Sequence, residues 1–545
     1  AGWIGLDPTS GLFAGEGHIP LACTPDPSSA SPIVGASDEC EVTFKFENKV
    51  SRIHEDPRVT KPYTEDQWQA ILALGDEVDN ALIKGDVRLT MGGEPTFVSI
   101  DDMDSAQWNT AALGEHKLER AGILLRRLKE VFGKDALLHY GQGKWYPGEQ
   151  LPRWAMTCAW REDGHPVWNH PQLLDHPDSS KQHSIEQAQQ LIEQIAAHLQ
   201  LDKHYILPGY EDGAYYLWKE GNLPGNVDVS DNKLKDPVER SRVRRIFEQG
   251  LDNVSGYALP IAWDYTNEGW ISCKWSFRRD KLFLIPGDSP MGYRLPLNSL
   301  LWEPEPLRQK VIPKDPFDQR KLVPEIRDRL RMVHMGETIP LPEPPLAADA
   351  QNVDRSRNST GKEPSLIRTT LCLEPRNGHL YIFMPPLEDL EHYLDLVNAI
   401  EAAAVDTGLP IIMEGYEPPK DPRLQRLMVT PDPGVIEVNI HPVNNWQELV
   451  KNTSILYEEA RQARLGTEKF MLDGRHSGTG GGNHVTIGAA APADSPILRR
   501  PHLLRSLLTY WQNHPALSYL FSGLFIGPTS QAPRVDEARD DALYE

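Results

Sequence analysis

Cysteine is scarce in this 545-residue sequence: Cys23, Cys40, Cys158, Cys273 and Cys372 are scattered, odd in number and contain no Cys-x-x-Cys pair. That excludes a disulfide framework or a structural zinc site of the usual spacing, and implies a reducing, cytoplasmic setting. Positive charge is also in deficit, with 56 Lys and Arg against 78 Asp and Glu and a formal net charge of -22. A general nucleic-acid or anionic-membrane surface does not fit that balance. An anionic ligand would need a local basic cluster or a metal. No run of about 18 apolar residues is present, so no transmembrane helix is expected. A charged leader with an apolar core is missing from the start. The remaining composition, 39% hydrophobic and 25% charged, is that of a soluble globular chain, and the length implies two to four domains.

The chain opens on Ala1-Gly2-Trp3 and closes on Asp540-Asp541-Ala542-Leu543-Tyr544-Glu545 as if within a strand and a helix, which implies a piece of a larger protein. Residues 1–18 read as a strand and turn, and the Pro-, Ser- and Ala-rich residues 19–39 as a linker. Residues 40–134 form a first unit. Thr64 and Gln67 make a capping box for a helix with Trp68, Ile71, Leu72, Val78 and Leu82 on one side, ended by Gly85-Asp86. Val87, Leu89 and Met91 alternate as a strand, and Leu118, Ala121, Leu125, Leu128 and Phe132 mark a second helix. Residues 135–340 are Trp-, Tyr- and Pro-rich and less regular, with one clear helix capped by Ser184 and Gln187. Residues 341–365 read as a long loop. In 366–545, strands Thr369–Leu373 and His379–Met384 pair across Arg376-Asn377-Gly378. A helix over Leu387–Thr407 and strands at Leu409–Met413 and Val435–Ile440 follow.

Several segments could carry chemistry. In Gly92-Gly93-Glu94-Pro95-Thr96 the glycines leave room for Glu94 to point into an open site, although a glycine bulge with a solvated glutamate reads equally well. In Glu437-Val438-Asn439-Ile440-His441, strand alternation puts Glu437, Asn439 and His441 on one side. Such an oxygen-rich row suits Mg²⁺ or Mn²⁺, whereas the plain alternative is the exposed face of an antiparallel sheet. His476-Ser477-Gly478-Thr479-Gly480-Gly481-Gly482-Asn483-His484 is Gly-rich but leads into a strand, so it is not a Rossmann fingerprint. Its amides can approach an anion or substrate closely, with Asn483 and His484 at the strand mouth. Arg534 could clamp a phosphate or carboxylate, or be an ordinary charge at a helix start. Lys144, in Tyr140-Gly141-Gln142-Gly143-Lys144-Trp145-Tyr146, could reach a phosphate, or its segment could be a packed loop.

Taken in order, these segments resemble glutamine synthetase. Gly92-Gly93-Glu94-Pro95-Thr96 followed by Asp101-Asp102 is similar to that family's metal-binding glutamate strand. Gly378-His379-Leu380-Tyr381-Ile382-Phe383-Met384-Pro385-Pro386, the Glu414-Gly415-Tyr416-Glu417 segment, Gly434 to Val438, Gly480 to His484 and Gln531-Ala532-Pro533-Arg534 follow in the family's order. Residues 40–545 more closely resemble large bacterial amidoligase-like proteins that follow a transglutaminase-like domain. Asp7, in Trp3-Ile4-Gly5-Leu6-Asp7-Pro8-Thr9, matches the third member of that domain's Cys-His-Asp triad.

The resemblance implies an α+β fold: a glutamine-synthetase-like antiparallel sheet with packed helices, a large mixed insertion at 135–340 that could bind an acceptor, and the tail of a transglutaminase-like domain. It implies an ATP- and Mg²⁺- (or Mn²⁺-) dependent ligase joining a small-molecule or peptide carboxylate to an amine through an acyl phosphate. Glu94, Glu417, Glu437 and His484 would be metal ligands, and Lys144, Gly481, Gly482 and Arg534 would contact the nucleotide. Asn483 and Arg534 would act in catalysis. Neither nucleic acid nor membrane is expected as a partner. Two departures stand out: Thr96 replaces the second metal glutamate, and Gln531 the ammonia-site glutamate, which implies an amine other than free ammonia. The competing readings are an inactive scaffold of the same fold and an accessory region of a transglutaminase-like protease or transferase.

Overall fold

The computed structural model describes residues 63–144, 153–212, 253–295 and 366–514, the last two ranges with short breaks, and a few short pieces before 63 and between 300 and 323. The long loop expected at 341–365 and the segment carrying Gln531 and Arg534 lie outside the described residues.

The helices follow their sequence signals. Helix α1, Glu65–Lys84, begins at the Thr64/Gln67 capping box and ends at Gly85. None of its residues is fully buried: of the apolar side expected for it, Trp68, Ile71, Leu72 and Leu82 are half-buried and Val78 is exposed. Helix α2, Glu115–Phe132, buries Ala121, Leu125 and Leu128. Helix α3, Ile185–His198, has the Ser184/Gln187 capping box and buries Ala188, Ile192 and Ile195. Helix α4, Leu390–Thr407, is ended by Gly408 in the left-handed region. Helix α5, Trp446–Gln462, is capped by Asn445. Helix α6, His502–Asn513, buries none of its residues.

The strands of the main sheet are β1 Thr90–Glu94, β2 Thr96–Ser99, β3 Leu137–Gln142, β4 Trp154–Arg161, β5 Leu207–Glu211, β6 Val254–Pro260, β7 Leu282–Pro286 and β8 Tyr293–Arg294. They continue as β9 Thr370–Arg376, β10 His379–Met384, β11 Ile412–Gly415, β12 Leu424–Asp432, β13 Val435–Val443, β14 Leu465–Gly466 and β15 His484–Gly488. All belong to one 15-stranded sheet, in the order β8-β7-β5-β6-β9-β10-β11-β3-β4-β12-β13-β1-β15, with β2 joining β13 to β14. Pairing is mostly antiparallel; β7 with β5, β10 with β11 and β11 with β3 are parallel. The β9–β10 hairpin turns on Asn377 and Gly378, both at positive φ. The protein is therefore mixed α/β around a largely antiparallel sheet. Strands from the 135–340 region sit at its centre: β3 and β4 lie between β11 and β12.

Two apolar clusters hold the sheet, one on each face. Leu137 and Ala159 belong to the cluster formed with α3 and α4, while their chain neighbours Leu138 and Cys158 belong to the one formed with α2 and α5. Adjacent strand residues point to opposite faces, so the two helix pairs cover opposite faces. The first pair covers β9, β10 and β11, and the second covers β4, β12 and β13. The face opposite α2 and α5 is where polar residues collect.

Leu6–Asp7 pairs with Leu12–Phe13 as a short antiparallel ladder, which gives Asp7 a strand backbone; its side chain lies outside the described residues.

Candidate active site

In β13, Ile436 and Val438 are fully buried against α2 and α5, so Glu437 and Asn439 must point from the opposite face. There they line a cavity of about 200 Å³ with Glu94, Gly143, Lys144, Arg153, Trp154, Met428, Thr430, Pro431, Asp432, Gly482 and His484. Each group arrives by register. Glu437 pairs with Thr430 of β12 on one side and Thr96 of β2 on the other, and Asn439 pairs with Met428. Glu94, the last residue of β1, pairs with His484, the first of β15, and its Oε2 lies 3.2 Å from His484 Nδ1.

The electrostatics are uneven around the cavity. Arg153 is ion-paired with Asp432, and Glu94 touches His484. Glu437 accepts a 2.9 Å hydrogen bond from Asn439 Nδ2. Burial raises the Glu437 carboxyl above its ordinary range, and the charges of Glu94 and Asp432 raise it further; the Asn439 bond and Lys144 pull the other way. A half-buried carboxylate near another carries a cost that a cation would relieve. Beneath the rim, Lys117 is fully buried and donates to the carbonyls of Ala111, Ala112 and Asp432 at 3.0, 3.1 and 2.8 Å. Burial pushes its ammonium down to about 7, against the pull of Asp432. It ties the turn after β12 to the start of α2.

The Gly-rich segment closes one wall. Gly481 lies so near β2 and β13 that a Cβ there would come within 2.9 Å of Thr96 Cγ2 and 3.0 Å of Val435 Cγ2. A Cβ on Gly482 would meet the His484 ring at 2.7 Å. Close packing against the buried Thr96 and Val435 therefore requires glycine at 481, whereas at 482 the exposed His484 ring could give way.

Glu94, Glu437, His484, Lys144 and Gly482 thus meet around one cavity, with Gly481 packed behind it. Asn483 stands beside them, but its Oδ1 accepts the Thr96 amide at 3.0 Å. Glu417 is not a wall residue. Its carboxylate accepts from Thr157 Oγ1 at 3.0 Å and lies 3.3 Å from Arg426. Thr157 pairs with the wall residue Met428, so Glu417 sits about one strand away. Asp101 pairs with Arg464, and Asp102 accepts the Ser105 and Asp104 amides, so both acidic residues serve local structure. Among the described residues no three His, Cys, Asp or Glu side chains form a ready-made metal cage.

One expectation is corrected. His441 does not share a side with Glu437 and Asn439. The register of β13 against β1 shifts between Ile440 and Val443, and this irregularity turns His441 to the helical face. There its ring packs on Phe132 and Trp160 at 5.0 and 4.9 Å, and its Nε2 lies 3.0 Å from Asn452 Nδ2 of α5. Alternation alone could not show the irregularity.

Sequence reasoning missed Arg153, Trp154, Met428, Thr430 and Asp432. The Pro431-Asp432-Pro433-Gly434 turn was a signal for Asp432, but its pairing with Arg153 joins segments 279 residues apart. No curated protein and no solved structure matches the chain. The model of the family described as "Putative amidoligase enzyme (DUF2126)" matches residues 38–545, and the chain belongs to that family.

Proposed function

We propose that the chain is an ATP-dependent amidoligase, forming an amide from a carboxylate and an amine through an acyl phosphate, with the Glu94–Glu437 cavity as its reaction centre. The observation that carries this reading is the convergence of Glu94, Lys144, Glu437 and His484, from four separate chain segments, on one cavity beside a close-packed glycine loop. The crowded carboxylates suit a divalent cation: Glu94 and Glu437 would hold it, with His484 adjacent. Mg²⁺ or Mn²⁺ there would neutralise phosphate charge.

The remaining work falls to the chain itself. Lys144, at the rim, gives the transferring phosphoryl group a cationic contact. Asn439 orients Glu437 through its amide. Trp154, Met428 and Pro431 supply an apolar wall that limits water near the reacting carbonyl. At about 200 Å³ the cavity is smaller than usual ligand pockets of roughly 300–1,000 Å³, so it fits the reacting groups rather than a whole nucleotide. Arg534, outside the described residues, remains the candidate for a second phosphate contact.

The test is thermal unfolding with ATP, with Mg²⁺ and with both, because a ligand that binds only the folded state raises its stability. The expected result is a gain with the pair that neither gives alone. An equal gain with ATP in the presence of a strong chelator would overturn the metal-assisted reading. Binding with no phosphate release across a panel of acids and amines would favour the inactive scaffold.

A further inference from the structure

We infer that Thr96, Thr479 and Asn483 form a clasp that positions the cavity's glycine wall over Glu437, and that Asn483 acts as a strut. This rests on reading the cavity as the reaction centre. Thr96 and Thr479 are 1% and 2% exposed, and their hydroxyl oxygens lie 2.7 Å apart. Thr479 Oγ1 also accepts the Gly481 amide at 3.2 Å, and the Thr96 amide donates to Asn483 Oδ1 at 3.0 Å. One residue of β2 therefore holds the loop at two points, on either side of Gly481 and Gly482.

The position of Thr96 gives the clasp its consequence. Thr96 is the cross-strand partner of Glu437, while the residue after Asn483 is His484, partner of Glu94. A displacement of the loop relative to Thr96 would move Gly482 and His484 relative to both glutamates. Thr96 occupies the place where the resemblance to glutamine synthetase implied a metal glutamate, but its hydroxyl is committed to Thr479. The buried pair excludes water, so each hydroxyl lacks a solvent substitute if its partner is removed. The Gly481 contact leaves no room for a bulkier latch. These threonines are positioning residues: they touch the wall of the site rather than the reacting groups.

The experiment compares the full chain with Thr479→Val, which keeps the shape and removes the hydroxyl, and Thr479→Ser, which keeps the hydroxyl. Amide hydrogen exchange of residues 479–488 without nucleotide reads the clasp itself. Valine should speed exchange there by about tenfold while α3 and α4 keep their protection, and serine should restore it. The affinity for ATP with Mg²⁺ should fall about tenfold in the valine variant and recover in the serine variant. Asn483→Ala, at an exposed position, breaks the second tie and should act in the same direction if Thr479→Val folds poorly. Unchanged loop exchange in both Thr479→Val and Asn483→Ala would overturn the clasp. Faster exchange with unchanged affinity would overturn its positioning role. A wild-type chain that binds no ATP would instead remove the proposed function, and the exchange result would still decide whether the clasp exists.

Discussion

Where α3 and α4 lie on the sheet, Leu373, Ile382 and Met413 point into them and the face is closed. Four strands beyond β11, Glu437 and Asn439 point from that same face into a polar cavity, because the helices of that flank, α2 and α5, lie on the other side. One sheet is thus covered on alternate faces. Where helix cover changes sides, no helix among the described residues covers the face that bears Glu437, and a packed core backs it. A carboxylate placed there is held by a strand whose other face is fully buried, which fixes its direction. The same carboxylate on an exposed helix such as α1 would have no comparable constraint.

Substitutions on the two halves of this face can break the comparison. Ile382→Ala, on the closed half, should lose about 2–5 kcal/mol of stability by urea unfolding, since it leaves a hole in a packed cluster. Thr430→Ala, on the bare half, should stay within about 0.5 kcal/mol. Equal losses at both positions would mean that the bare face is packed as tightly as the closed one.

The next effect concerns ligand binding. Glu437→Gln keeps size and polarity and removes the charge, and should weaken metal-dependent ATP binding at least about tenfold, or about 1.4 kcal/mol. Stability without ligand should hold or rise slightly, because the crowding by Glu94 and Asp432 is relieved. Calorimetric titration and urea unfolding of the two proteins separate these outcomes. A neutral effect on binding would reduce Glu437 to a solvated strand position.

The smallest effect is a pH dependence. The folded state holds the Glu437 proton more tightly than the unfolded chain does, so the carboxylate's cost is absent below the ordinary glutamate value of 4.5. That cost appears as pH rises through the raised folded value. The stability of Glu437→Gln relative to wild type should therefore increase from about pH 4 to pH 7, by less than about 1 kcal/mol. A difference that is flat with pH would place Glu437 in ordinary solvent.

Local structure was legible wherever a short-range rule decides it. The capping boxes at Thr64 and Ser184, the Asn377-Gly378 turn and the buried stripes of α2 and α3 each depend on residues a few positions apart. Glu94, Glu437, Lys144 and His484 could be nominated because glycine-flanked or alternating polar residues are visible in one strand or loop. Alternation failed at His441, where a register irregularity beside Pro442, which cannot donate to the ladder, reversed the side chain. It also could not say that the apolar side of α1 would be only half-buried, because periodicity gives a face but not its partner.

The sequence by itself determined helices α1 to α4, the hairpin and the acidic balance, because these follow from local conformational preference and side-chain chemistry. Only the tertiary structure decided that β3 and β4 enter the middle of the sheet and that Arg153 meets Asp432. It also decided that Thr96 is spent on Thr479 and that Glu417 stands apart from the cavity. Those outcomes depend on strand order and register between segments hundreds of residues apart. Neither is encoded in any local window, since each is set by the burial of all the strands together.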